Sequence, residues 1–362
     1  MEVPLMRFPR DTSDFTRTLR ARVDAYFAES GLKPSGDARV WPKTGVMLAL
    51  YFVPWALIAF GVTGAGWGFW AAEVAMGLGL AGVGLNVLHD ANHGSLTASK
   101  KLNDAISMVV DFIGGNSVMW RIQHNVLHHT FTNVDGLDED IAVPYVMRFS
   151  PTRPHHFFHR FQWLYAWGFY AIMTLYWLTI KDFVSLMRYK KSGLLARSGS
   201  TFGRVLGWLL VTKVVQFGYV LGLPWAFSGL SLGQILLGWV VMHAVSGLCL
   251  AAIFQPAHVL EDHAFAEAEQ GGVLPADAFT HQLQTTANFG TRSRLLTWLC
   301  GGLNHQIEHH LFPNVCHVHF RKLAPIVRKT AEEFGLPYRS NTSFAEALWL
   351  HTRMLWQLGR AA

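Results

Sequence analysis

The sequence predicts an all-α integral membrane protein: four transmembrane helices in two hairpins, with interfacial helices and a cytosolic helical cap that holds a dimetal site. Three observations lead there. The 362-residue chain is 51% hydrophobic and only 15% charged, with a mean hydropathy of +0.22, too apolar for ordinary soluble domains. Four apolar runs, at about 45–65, 67–88, 203–223 and 232–254, have the length that a bilayer core requires. Histidines gather where those runs end and in the polar segments between and after them: His89, His93, His124, His128, His129, His258, His309 and His310.

The net charge of +6 and the pI near 9.3 do not signal nucleic-acid binding, because Lys and Arg are scattered between apolar runs and form no basic stripe. Cys249, Cys300 and Cys316 show no CxxC or zinc-finger spacing, and an odd count argues against a disulfide framework, so a reducing, cytosol-facing catalytic side is expected. The charged stretch Met1–Phe15 has no apolar core of the kind a cleavable signal peptide needs.

Residues 1–40 read as a solvated cytosolic arm, carrying Arg7, Arg10, Arg17, Arg20 and Arg22, with a short amphipathic helix over Asp14–Glu29. The membrane domain follows over 41–338, and 339–362 form a C-terminal helical tail. The first two spans are joined by the uncharged turn 61–66 and flanked by Arg39, Lys43, Lys100 and Lys101, which places both ends of the hairpin in the cytosol. Residues 104–115 are too few to cross and are expected to be an interfacial or buried helix. Residues 157–182 are aromatic and resemble a further span. Histidines 89–129 and 309–310 share one side only if the chain crosses an even number of times between them, so this segment is expected to lie flat in the interface.

The second pair of spans is preceded by Lys190, Lys191, Arg197 and Arg204; Lys213, inside the third span, must snorkel or face a polar cavity. Beyond 259 no run is long enough to cross, so the remainder caps the histidines, with 324–358 as helical packing.

On a helix, His89 and His93 fall on one face, and so do His124 and His128, while His129 is rotated by about 100°. His258 closes the fourth span as His89 closes the second. Eight imidazoles suit two metal ions better than one, and the donor type leaves zinc, copper, nickel and iron open. Further ligands or groups that orient the imidazoles are sought at Gln306, His305, Asp90, Asn125 and Asp135. The loop holding Asp135, Asp138, Glu139 and Asp140 is either a solvated turn or a set of carboxylates holding imidazole N–H groups. His155, His156 and His159 read as surface or interfacial residues, His243 as packed within a span, and His317 and His319 as weaker supporting groups.

His89-Asp-Ala-Asn-His93, His124-Asn-Val-Leu-His128-His129 and Gln306-Ile-Glu-His309-His310 resemble the three histidine boxes of the membrane fatty acid desaturases. Gln306 in place of the first histidine, followed by Leu311-Phe312-Pro313, is similar to the front-end, or linoleoyl-coenzyme A type, branch. The likeness runs from about Trp41 to Tyr338 and includes Thr132–Gly136 and Thr285–Phe289. It implies two iron ions held by the eight histidines, O2 as co-substrate, a fatty acyl-coenzyme A or acyl-lipid substrate, and no catalytic side chain beyond the metal centre. Arg121, Arg292 and Arg294 are candidate contacts for an acidic headgroup. Many front-end members carry a fused cytochrome domain with a His-Pro-Gly-Gly signature that this sequence lacks, which implies a separate ferredoxin or cytochrome-type electron donor. His305 stands where relatives commonly have an aromatic residue. A hydroxylase on the same scaffold and a zinc-dependent membrane hydrolase are the alternatives, and a metal transporter would place its ligands at mid-membrane instead.

Overall fold

The computed structural model describes residues 6–142, 145–267 and 272–361. Helix α1 (Phe15–Ser30) buries Phe15, Leu19, Val23 and Phe27, one residue per turn. That stripe packs on Ile307, Leu323, Val327 and Ala331 near the third histidine box. The N-terminal segment is therefore docked and not a solvated arm, because four apolar residues at helical spacing outweigh the arginines on the opposite face.

Among the described residues, four helices are long and apolar enough to cross a membrane. The first two are α2 (Val40–Ala59) and α3 (Trp67–Asn92). Glycine brings them together: a Cβ on Gly79 would collide with the backbone of Leu50 and Tyr51. Helix α3 continues four residues past the expected end at 88. It passes through a π-helical stretch, Gly84–Leu88, and carries His89 inside the helix. After α4 (Lys100–Ser107) comes α5 (117–128), which opens as an α-helical turn and widens over Arg121–His128 into a π-helix.

Helix α6 (162–191) is continuous, with a π-helical turn at Trp177–Lys181. It is followed by the other two long apolar helices, α7 (Phe202–Phe227) and α8 (Leu232–His258). The first half of α6 runs antiparallel beside the second half of α8. Thr174 donates to the carbonyl of His243 at 3.0 Å, the backbone of Tyr170 lies where a Cβ on Gly247 would be, and Ala166 shares a cluster with Ala251. Partners thus step by four residues in opposite directions. Among the described residues α6 is not one of the helices long and apolar enough to cross a membrane, as expected of 157–182, and the missing side chain at Gly247 lets it lie along α8. Further along, Lys213 of α7 resolves into a buried ion pair with Asp182 of α6 at 3.1 Å.

The remaining chain closes over one end of these helices. Helix α9 (Ala278–Thr285) leads to strand β1 (Asn288–Phe289), which pairs in parallel with β2 (Ser340–Asn341) and ties the two ends of the cap together. Between them lie α10 (Gln306–Leu311) and α11 (Phe320–Glu333). Gly301, at φ 62°, sits so close to the carbonyl of Leu85 that a side chain would not fit, which sets the approach to α10 directly on the π-helical turn before His89. Helix α12 (Phe344–Leu358) packs on α6 and α8, and His351 meets the Tyr170 hydroxyl at 2.8 Å.

Replacing Gly247 with Leu is expected to prise α6 from α8 and cost about 1–3 kcal/mol. Thermal unfolding in detergent should show a lowered Tm, while Gly203→Leu, at a glycine facing open space, should leave it unchanged.

Candidate metal centre

Three helix ends and one short helix bring the imidazoles together. His89 and His93 come from the end of α3, His124, His128 and His129 from the end of α5, His258 from the last residue of α8, and His309 and His310 from α10. All eight are buried. Their side-chain nitrogens fall into two principal sets: His89, His93, His124 and His309, and His128, His258 and His310, the nitrogens within each lying within 4.8 Å of one another. His129 joins the two, stacked on His310 at 4.3 Å and edge-on to His309 at 4.5 Å.

The π-helix alters the geometry expected of the second box. Hydrogen bonding closes five residues back, as from the His129 amide to the His124 carbonyl at 2.9 Å. His124 and His129 consequently face each other, Nε2 to Nε2, at 3.3 Å. His124 and His128 remain neighbours, but each joins a different principal set. An α-helical repeat would have kept those two together and turned His129 aside.

The outer nitrogens are held by neighbours. Asp140 lies 2.8 Å from Nδ1 of His124, and Asp138 lies 2.9 Å from Nδ1 of His128. Gln282 of α9 accepts from Nδ1 of His310 at 2.9 Å, and the carbonyl of Thr285 faces Nδ1 of His258 at 3.3 Å. The inner nitrogens have no such partner among the described residues: Nε2 of His89, His93, His258, His309 and His310, and Nδ1 of His129, are buried without a hydrogen bond. Buried polar atoms are nearly always satisfied, so convergent orphaned nitrogens fit a metal site.

Electrostatics separates the imidazoles. Burial, reinforced by the neighbouring rings, pushes His129, His309 and His310 well below the ordinary histidine value. His124 is pushed down by burial to about 4, despite Asp140. Burial also acts on His128, but the charges of Asp138 and Asp140 outweigh it and hold that ring up at about 9.

A cavity, mostly apolar in its walls, begins beneath these rings. It starts at His89, His124, His128 and His258, passes Trp120, Leu250 and Phe254, and reaches Thr174, Trp177 and His243 between α6 and α8. Its apolar lining suits a hydrocarbon chain.

The fatty acid desaturase family model matches residues 65–342, more than half of the chain and all eight histidines. The chain belongs to the fatty acid desaturase family. It is 36% identical to the sn-1 linoleoyl-lipid 6-desaturase of Synechocystis sp. over 350 residues, covering 96% of each protein. It is 32% identical to the Arthrospira platensis protein of the same name, covering 92% of this chain and 89% of that one. It is also 34% identical to the acyl-lipid (8-3)-desaturase of Physcomitrium patens, covering 96% of this chain and 72% of that protein. The protein is thus a fatty acyl desaturase, an oxidoreductase of lipid metabolism, and its relatives agree with the front-end resemblance.

Other residues singled out in the sequence divide. Asp135 is turned away from the desaturase centre, bound to Arg153 at 2.8 Å and Thr152 at 3.1 Å, because the loop turns inward only at Asp138 and Asp140. Asn125 donates to the carbonyl of Asn92 and braces the first two boxes against each other. Asp90 is 3.5 Å from Nδ1 of His89 but 2.6 Å from Nδ1 of His317, and it also accepts from the Cys316 thiol; Lys43 meets the far nitrogen of His317. It therefore ties the cap to the first box.

His305 is buried 3.5 Å from Glu308, and among the described residues no ring contact joins it to the eight histidines. Gln306 is buried, with its amide nitrogen unpartnered. His319 reaches the Ser35 carbonyl, and His243 bonds Thr174 at 2.9 Å as a packed residue. His155 is exposed, whereas His159 is buried and bonded to the Tyr145 carbonyl, contrary to a surface reading; its ring caps the turn that leads into α6. Arg121 is occupied by Asn92, Asp104 and Ser107, and Arg292 and Arg294 are exposed. Thr285 belongs to the Thr285–Phe289 stretch singled out in the sequence, whereas Gln282, three residues before it, carried no signal of its role there.

The pH dependence of the metal-free protein follows from these shifts. Below the ordinary value of 6.5 the unfolded chain takes up protons that His129, His309 and His310 resist, so stability falls on acidification. His128 works the other way: its contribution is complete below 6.5 and is lost as pH rises through about 9. Tm measured against pH should decline on both sides, and Asp138→Asn should flatten only the alkaline side. The same substitution should weaken metal binding by about 10–100-fold in a competition titration.

Proposed function

We propose that the eight histidines hold two iron ions, and that the desaturase uses O2 and electrons from a separate donor to introduce a double bond into the acyl chain of a membrane lipid. The observation that carries this reading is the convergence of unpartnered imidazole nitrogens at the head of a mostly apolar cavity. Bound there, the iron supplies the O2 activation needed to remove hydrogen from two adjacent unactivated methylenes.

The chain's own residues do the rest. Asp138, Asp140 and Gln282 hold outer imidazole N–H groups, so that inner lone pairs point at the ions. Trp120, Leu250 and Phe254 position the hydrocarbon and exclude water. Gln306 is a further candidate ligand from the third box, and His305 a supporting residue behind it.

An acyl-lipid carrier is favoured over acyl-coenzyme A by the substrates in the names of the relatives, and it suits a cavity that runs beside helices able to cross a membrane. The charge pattern supports two hairpins with the metal centre on the cytosolic face: Arg39, Lys100 and Lys101 lie toward the histidine end, while the 61–66 turn is uncharged. Scattered basic residues suit an acidic ferredoxin or cytochrome-type donor.

The test is expression in a host of defined lipid composition that also supplies a ferredoxin and its reductase, with fatty acids read by gas chromatography and mass spectrometry. A new double bond in lipid-bound chains is expected; a hydroxylated product, or product confined to the coenzyme A pool, would replace this reading. His309→Ala should abolish product and lower iron per chain while the protein stays in the membrane fraction. Iron retained in full by that variant would remove His309 from the ligand set.

A further inference from the structure

The histidines are reached from two sides. Besides the apolar cavity there is a cleft on the cap side, with His129, Gln282 and His310 at its floor and Arg20, Asp24 and Asn314 at its mouth. The floor residues are buried and the mouth residues exposed. The two spaces share no lining residue. They also meet the cluster at different rings: the cavity touches His89, His124, His128 and His258, the cleft His129 and His310.

Their walls differ in kind. Arg20 and Asp24 stand one turn apart on α1, and the Arg20 guanidinium lies 4.9 Å from the centre of the Phe279 ring, which keeps its charge at the rim. At the floor, Gln282 bridges the third box to the second, accepting from His310 and donating to the carbonyl of His129. Phe8, Phe279 and Phe312 also line this path, but charged or amide side chains stand at both its rim and its floor, whereas the other cavity is walled mostly by apolar groups.

Desaturation consumes one O2, two electrons from the donor and two protons; with the two hydrogens taken from the chain it releases two waters. A hydrocarbon filling the apolar cavity displaces water from that side and offers no polar route past itself. Protons must nevertheless arrive, and water must leave, while the chain is bound.

We propose that the cleft between α1, α9 and the third box is a separate entrance to the metal centre, more polar than the acyl cavity. It admits small hydrophilic solutes, water and small anions among them, while the acyl chain occupies the apolar cavity. The proposal rests on the metal reading above and adds to it a division of traffic between two faces of one cluster.

The test uses the full-length, iron-loaded protein in detergent with Asn314→Cys at the mouth. After folding, the new thiol is labelled with a bulky, charged thiol reagent. Loss of ferrous iron to an anionic chelator is then followed by absorbance, at chelator concentrations where the rate rises in proportion to chelator, so that access is what is timed. Wild type treated with the same reagent controls for the native cysteines. Ala278→Cys, at an exposed position on the same rim, repeats the test if Asn314→Cys does not fold.

Labelling is expected to slow iron loss by roughly fivefold or more, and saturation with a long-chain lipid to change it by less than about twofold. Unchanged loss after labelling, or loss stopped by the lipid alone, overturns the second entrance. Iron per chain is measured before chelator is added, so a protein that holds no iron is recognised as a failure of the metal reading and not of the route.

Discussion

Imidazoles packed ring against ring repel one another once more than one carries a proton, and burial makes each such charge costlier. Eight buried rings in contact are tolerable only if most stay neutral and if the lone pairs they turn inward find something to bind. That constraint organises the fold. It explains why carboxylates appear behind the second box, why a glutamine is set behind His310, and why the cap presses so closely on the first box. Removing these supports would leave the rings free to rotate, and a site loosened by even an ångström loses most of its usefulness.

The helices that frame the cluster obey a second constraint. Where the surroundings are as apolar as the side chains, burial gives little net force to drive helix against helix, and close backbone approach does more. Gly79 and Gly247 provide that approach on opposite faces of the bundle, and Gly301 repeats it where the cap meets α3. The buried charges of Lys213 and Asp182 are paired with each other between α7 and α6. The cavity lies between α3, α6 and α8, so the contacts that hold the helices together also shape the space between them.

Much of this was legible in the sequence, and the reasons for the rest are specific. Four long apolar runs and eight histidines at or near their ends announced the architecture and the cluster, because both depend on composition and spacing alone. The π-helix at 121–128 could not be read, since the pattern of apolar residues does not reveal which carbonyl each amide will choose. The acidic loop was recognised as a source of orienting carboxylates, but the inward turn at Asp138 and Asp140, and not at Asp135, depends on tertiary contacts. The arginines of the N-terminal segment suggested a solvated arm; the decisive signal was the Phe15, Leu19, Val23 and Phe27 stripe beneath them. The run of α6 beside α8 turned on a single missing side chain at Gly247, which no periodicity reports.

The division of the histidines between distant parts of the chain has a consequence for biogenesis. Each principal set includes a residue of the third box, His309 in one and His310 in the other, and the parallel pairing that ties down the cap involves residues as late as Asn341. At the usual pace of synthesis the ribosome is tens of seconds beyond the first box before the third emerges. Neither set is complete until the third box has been made, so a metal ion cannot be held in its final coordination while only the first two boxes have emerged. Loading belongs to a stage after the third box is made, and a product truncated before it would carry an open cluster of imidazoles with nothing to close it.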